Sequence, residues 1–246
     1  MRLIEGSRAI VTGGGHPDGI GQATAKLFVE HGAQVVVFDS AFSSDKTDPG
    51  QVNMTLDVTD ESECRLVIDR AAAAMGGIDI VVNNAGIVAS TRIPELTAVE
   101  FARMLEVNLV GTFNVTQAAL PHLKKSRSGP AIVNLGSIAA QRGGGLLGGS
   151  HYAAAKGGIM SFTKATAREC GALGIRANAV APGIIDTGMT AGKYDDRRRR
   201  AICEAIPLGR FGTAEDVARV ILFLACPLAG YLTGTVIDVN GGYHIH

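Results

Sequence analysis

Seven short runs rich in β-branched residues, at 8–12, 34–39, 52–56, 78–82, 131–135, 175–180 and 236–239, recur along the chain with helical periodicity between them. Strands that alternate with helices pair in parallel, and crossover helices on both faces leave the strands apolar throughout. The expected fold is therefore an α/β doubly wound parallel sheet of Rossmann type, about seven strands with helices on both faces. No linker, composition shift or fixed-period repeat interrupts the rhythm, so residues 1–246 read as a single domain.

The first run opens into a glycine turn, TGGGHPDGIG from Thr12 to Gly21, followed by an expected helix at 22–30. Strand, turn and helix in that order offer backbone N–H groups and the positive end of a helix to a pyrophosphate. Gly13, Gly19 and Gly21 are the positions where a side chain would obstruct such a ligand or force a disallowed backbone angle. The second run, QVVVFD, ends at Asp39, 18 residues after Gly21, where a carboxylate can accept hydrogen bonds from ribose hydroxyls and repel a 2′-phosphate. No Lys or Arg lies in the turn, and none follows Asp39 before Lys46, so NAD is expected over NADP.

Charge excludes several alternatives. Lys+Arg and Asp+Glu are 23 each, so no overall field favours nucleic acid or an anionic membrane. The start lacks a secretory pattern and no run of about 18 apolar residues occurs, which leads us to expect a soluble, cytoplasmic protein with no membrane partner. Cys64, Cys170, Cys203 and Cys226 are widely spaced, without metal-ligand or disulfide patterning, and are expected to be reduced thiols, mostly buried. No metal is expected.

Two helices carry the remaining chemistry. Thr97 and Glu100 form a capping-box pattern that opens a helix running from about residue 99 towards 123, with Pro121 near its end. A second runs through Tyr152 and Lys156 to about Cys170, where Gly171 is placed to stop it. Four residues apart, Tyr152 and Lys156 share a helix face. Alcohol oxidation needs a base for the O–H proton. A phenol with a reference pKa of about 10 is a poor one until a nearby ammonium stabilises the phenolate.

In chain order the sequence offers the glycine turn, Asp57-Val58, the run NNAG from Asn83 to Gly86, Asn108, Ser137, Tyr152-x-x-x-Lys156, PGIIDT from Pro182 to Thr187, and glycines 234, 241 and 242. With these motifs jointly in order, the chain resembles the short-chain dehydrogenase/reductase family nearly end to end. The resemblance implies that Asp57 and Val58 contact adenine, and that Asn83, Ala85 and Gly86 support the sheet and line the adenine-ribose side. Ile20, Asn84, Pro182 and Gly183 join the implied cofactor contacts, with Ile185 and Thr187 meeting the nicotinamide carboxamide and nearby phosphate. It further implies that Tyr152 is the general acid/base. Lys156 tunes it and binds the nicotinamide ribose, Ser137 polarises the substrate carbonyl, and Asn108 holds a water linking Lys156 to solvent. A homotetramer acting on a small-molecule substrate is also implied.

Two departures mark this chain. Gly13 and Gly19 enclose more residues than the family's first two glycines do, so Gly15 is an alternative for the first role. Ser137 and Tyr152 are 15 apart, about two more than usual, with the excess in RGGGLLGGS, 142–150. Residues 187–207 are expected to form a substrate lid. Its KYDDRRRR run could meet a polyanion, yet consecutive helical residues point to different faces, which favours a solvated helix with local ion pairs. The leading expectation is an NAD-dependent secondary alcohol dehydrogenase or ketone reductase. The alternatives are a 3-oxoacyl thioester reductase, a 3-hydroxyacyl-CoA dehydrogenase and a non-catalytic nucleotide-binding protein.

Overall fold

The computed structural model describes residues 2–42, 46–144, 146–188, 190 and 192–245, with only the backbone described at 46–48. The first half of the chain runs β1 Arg8–Thr12, α1 Ile20–Glu30, β2 Gln34–Asp39, β3 Lys46–Asp48, β4 Gln51–Thr55, α2 Glu61–Met75 and β5 Ile80–Asn83. It continues with α3 Ala98–Leu105, α4 Gly111–Leu123, β6 Ala131–Leu135, α5 Ile138–Arg142, α6 Ser150–Cys170 and β7 Arg176–Pro182. The last elements are β8 Ile185–Asp186, α7 Asp196–Glu204, β9 Gly212–Thr213, α8 Ala214–Ala225 and β10 Val236–Val239.

The main sheet has the order β10-β7-β6-β5-β1-β2-β4-β3. All its pairings are parallel except that of β3 with β4. Successive residues of each inner strand feed opposite cores, which is why the strands read as continuous apolar runs. Ala9 and Val11, Val35 and Val37, and Ile80 and Val82 face the core under α1 and α8. Ile10, Val36, Phe38 and Val81 face the core under α2, α4 and α6. Phe28 and Phe38, both fully buried, each contribute about 2–3 kcal/mol of transfer free energy.

The structure moves several expected boundaries. The strands expected at 52–56, 78–82 and 175–180 lie at Gln51–Thr55, Ile80–Asn83 and Arg176–Pro182. The antiparallel β3 and the two-stranded β8–β9 sheet were not expected, being two or three residues long with no alternation to read. Thr97 and Glu100 do form a reciprocal capping box. The helix they open is broken by a π-helical turn at Glu106–Val110 before α4 continues. α6 ends at Cys170 with Gly171 as its C-cap, as expected, but Gly171 keeps a right-handed φ of −59° and opens a 3-10 turn that Gly174, at φ 74°, closes in the left-handed conformation. The four cysteines are free, three of them buried, and burial pushes the Cys64 thiol up to about 12. Among the described residues no helix is long and apolar enough to cross a membrane.

Candidate active site

The chain leaves β1 towards β2 on one side and leaves β5 towards β6 on the other, so a crevice opens at the carboxyl ends of β1 and β5. Asn84 fastens that edge. Its side-chain N–H groups donate to the carbonyls of Thr12 at 2.9 Å and Gly13 at 2.8 Å, while the Thr12 hydroxyl accepts from the backbone of Asn84 and Ala85. The two turns press so closely that a Cβ on Gly13, already at φ 72°, would lie 2.6 Å from the Ala85 Cα. Asn83 points away from the crevice and braces the sheet, donating to Thr116 and Asn134.

These contacts separate the glycine roles. Gly13 turns the chain out of β1, and Gly19 caps α1 with no side-chain hydrogen bond and no acid in the first turn. The first N–H groups of α1 are therefore left for an anion. Gly15 and Gly21 stand behind the crevice rather than in it. The Gly15 N–H donates to Asp39 at 2.7 Å, and a Cβ on Gly21 would lie 2.6 Å from the Gly13 carbonyl. Gly14, which the sequence did not single out, is equally confined, 2.3 Å from Val37 by the same construction.

Asp39 also accepts from the Ala41 N–H at 2.9 Å, so each carboxylate oxygen is oriented and keeps further acceptor capacity. Asp57 is held below the usual carboxylate range, first by the Thr59 backbone N–H and then by its hydroxyl. Val58 is buried and packs against α4 at Gly111. Gly13, Gly19, Asp39, Asp57, Val58 and Ala85 line one end of the cleft. Ser137, Tyr152, Lys156, Asn108, Pro182, Gly183 and Ile185 line the other, with Ile20, Asn84, Gly86 and Thr187 common to both. Arg103, on α3, borders the Asp57 end and pairs with Glu106.

At the far end Ser137 caps α5 through a bond from the Ala139 N–H, so it is both a structural cap and a pocket hydroxyl. Tyr152, in the first turn of α6, lies beside it. Burial pushes the phenol pKa up, and the Ser137 hydroxyl opposes the rise. Lys156 donates to the Leu135 carbonyl at 2.7 Å and stands 5.8 Å from the Tyr152 ring centroid, and burial pushes its ammonium down to about 8. Burial thus acts on both groups, raising the phenol and lowering the ammonium.

Asn108 sits on the π-helical turn and donates to the Ile87 and Met104 carbonyls. Its Oδ1 is buried without a protein partner. Gly86 must lack a side chain, since a Cβ there would meet that oxygen at 2.5 Å and Lys156 Nζ at 3.5 Å. The unusual spacing before Tyr152 is absorbed by glycine. Gly148, at φ 85°, lies so close that a Cβ would be 2.3 Å from the Tyr152 ring, and Gly148 and Gly149 donate to Ser90 and Ala89. The glycine-rich segment that begins at Arg142 borders this pocket, as its place before Tyr152 leads one to expect, whereas local sequence pattern gave no warning of Tyr243.

Residues 187–207 contain α7, and residues 189 and 191 lie outside the described residues. The arginine run is largely engaged locally. Asp195 caps α7, Arg199 pairs with Asp186 and covers the Phe211 ring, and Arg198 covers Tyr194.

A crevice at the switch point of a doubly wound sheet, with a helix N-terminus at one end and converging hydroxyl, phenol and ammonium groups at the other, defines a nicotinamide-dependent oxidoreductase. The residues fit such a dinucleotide. Lys156 has donors beyond the one given to Leu135, Asn108 Oδ1 is unpartnered, and the start of α1 is open. The family described as enoyl-(acyl carrier protein) reductase, a short-chain dehydrogenase type, matches residues 13–244. A short-chain type dehydrogenase/reductase of Sinorhizobium fredii is 40% identical, covering 99% of this chain and 100% of its own. A 3-oxoacyl-[acyl-carrier-protein] reductase of Thermotoga maritima is also 40% identical, covering 98% and 99%. The crystal structure of a short-chain dehydrogenase/reductase, glucose/ribitol dehydrogenase, from Brucella melitensis superposes with a TM-score of 0.90 at 34% identity over 100% of both chains. This chain belongs to the short-chain dehydrogenase/reductase family.

Proposed function

We propose that the chain transfers a hydride between NAD(H) and a secondary alcohol or ketone. The reading rests chiefly on the meeting of the Ser137 and Tyr152 hydroxyls with the Lys156 ammonium in one pocket that continues to Asp39. When bound, the nicotinamide ring supplies or accepts the hydride. In the reductive direction Tyr152 gives its proton to the carbonyl oxygen while Ser137 donates a hydrogen bond to the same atom. Lys156 holds positive charge beside the phenolate that remains and binds the nicotinamide ribose. Asn108 Oδ1 accepts from the water through which Lys156 exchanges protons with solvent.

NAD is favoured over NADP by the Asp39 carboxylate, which two backbone N–H groups fix at the end of β2. Asp39→Ser is expected to move the ratio of kcat/KM for NADH over NADPH by about a hundredfold towards NADPH, measured by initial rates on one ketone. Equal parental rates with the two cofactors would instead favour the 3-oxoacyl thioester reductase that the Thermotoga maritima relative is named for.

A homotetramer is part of the same proposal, supported by Val110 and Phe113, exposed side by side where the π-helical turn meets α4. Light scattering should return four times the chain mass; a monomer would refute it.

A further inference from the structure

The pocket beside Tyr152 has an uneven charge. Among the described residues lining it the only ionisable cations are Lys156 and Arg142, and no carboxylate lines it. Lys156 is buried at the inner end and donates to Leu135. Arg142 stands at the outer end, and its partners are unusual for an arginine. One N–H donates to the Tyr243 carbonyl at 3.2 Å, and the guanidinium lies over the Tyr243 ring, 4.3 Å from the centroid. Neither partner carries charge, so Arg142 is oriented without being neutralised, and most of its five donors remain available.

Between the two cations the walls are apolar: Val88, Ile138, Leu146, Leu147 and Ile184. Arg142 is exposed at the mouth, so solvent partly screens its charge, and what it offers a ligand is the directional fork of its N–H groups. Arg142 is the last residue of α5, whose N-cap is Ser137, so their Cα atoms are separated by an axial rise of roughly 7–8 Å. A molecule whose carbonyl meets Ser137 and Tyr152 must span that separation to reach the guanidinium, which lines the same pocket.

Resting on the hydride-transfer reading above, we infer that the substrate is an oxo acid or hydroxy acid with a compact apolar body, whose free carboxylate is bound by Arg142. Tyr243 positions Arg142 for that contact. In reduction the carbonyl carbon takes the hydride that NADH gives up and the carbonyl oxygen takes the Tyr152 proton, leaving NAD and the hydroxy acid. The carboxylate is unchanged and serves only to orient the substrate. A planar carboxylate matches the guanidinium fork through two parallel hydrogen bonds. Thioesters and esters at the same position offer no charge.

The test uses the full chain, NADH and a matched series of 3-oxo, 4-oxo and 5-oxo carboxylic acids beside their methyl esters. In the parent, kcat/KM should favour the best acid over its ester by at least about tenfold, mostly through KM. Arg142→Gln should bring that ratio close to one, and Arg142→Lys should restore part of it, thermal unfolding first establishing that both variants fold. Reduction of acids and esters at equal efficiency by the parent, or an unchanged ratio in Arg142→Gln, overturns the inference while hydride transfer stands. If no member of either series turns over, binding to the NADH complex, read by quenching of dinucleotide fluorescence, decides it. Preference for acids that Arg142→Gln abolishes supports the anchor; no preference overturns it. Failure of every carbonyl class, with the anchor intact by binding, counts against the hydride-transfer reading alone.

Discussion

Replacing Tyr152 by Phe is expected to lower kcat/KM by about a thousandfold or more, with dinucleotide affinity changed by less than about threefold. Proton transfer by a positioned side chain contributes about 10²–10⁴ in rate, and nothing else lining the pocket can replace the phenol. The Ser137 hydroxyl is too weak an acid to replace it, and Lys156 sits one turn further along α6, held to the Leu135 carbonyl. The substitution removes one oxygen and leaves the ring to pack on Gly148, so the fold should survive it. Because burial raises the phenol, reduction should hold its rate through neutral pH and oxidation should climb as pH rises. Initial rates in both directions, with a fluorescence titration of NADH, check this. A Phe variant with more than a tenth of parental activity would remove Tyr152 from the chemistry.

Lys156→Met is expected to separate activity from stability. Turnover should fall by at least about a hundredfold, while the cofactor-free variant unfolds at a higher temperature than the parent at pH 7. The folded ammonium titrates at about 8 against an ordinary 10.5. Below pH 8 both folded and unfolded chains hold the proton and the burial penalty is complete. Between about 8 and 10.5 the unfolded chain holds more protons, so parental stability rises with pH. The displacement corresponds to about 3 kcal/mol. Loss of the donor to the Leu135 carbonyl offsets about 1–2 kcal/mol of the gain, leaving a rise of roughly 2–8 °C. Thermal unfolding of both proteins from pH 7 to 10.5 should show the gap closing as pH rises. A variant less stable than the parent at every pH would mean that the buried ammonium carries no such penalty.

Much of this architecture is legible in the sequence because its signals are local. The runs at 8–12, 34–39 and 131–135 coincide with strands, since burial on both faces demands largely apolar residues, and the half-buried edge run at 236–239 coincides with one as well. The capping box at Thr97 is likewise a four-residue pattern. What stays hidden depends on partners distant in sequence or on a backbone angle. Gly171 and Gly174 are equivalent as letters, and only the φ at each shows that the second makes the left-handed turn. Asn84 looks like one more polar residue in NNAG, yet its amide holds a turn more than 70 residues earlier. Arg142 and Tyr243 are 101 residues apart, beyond any spacing rule. The Tyr152–Lys156 spacing is readable, but its electrostatics are not, because desolvation depends on what surrounds both groups.

The π-helical turn at Glu106–Val110 places a constraint on chain length that residue types do not reveal. A turn widened in this way is how a helix accommodates one surplus residue, and each residue gained or lost rotates one flank against the other by about 100°. Asn108 must face Gly86 and Lys156 from the same segment whose other side exposes Val110 and Phe113. Among descendants of this sequence, single-residue insertions and deletions should therefore be tolerated in the surface loops and purged from 106–110. In that stretch the site depends on the number of residues as well as on their kinds.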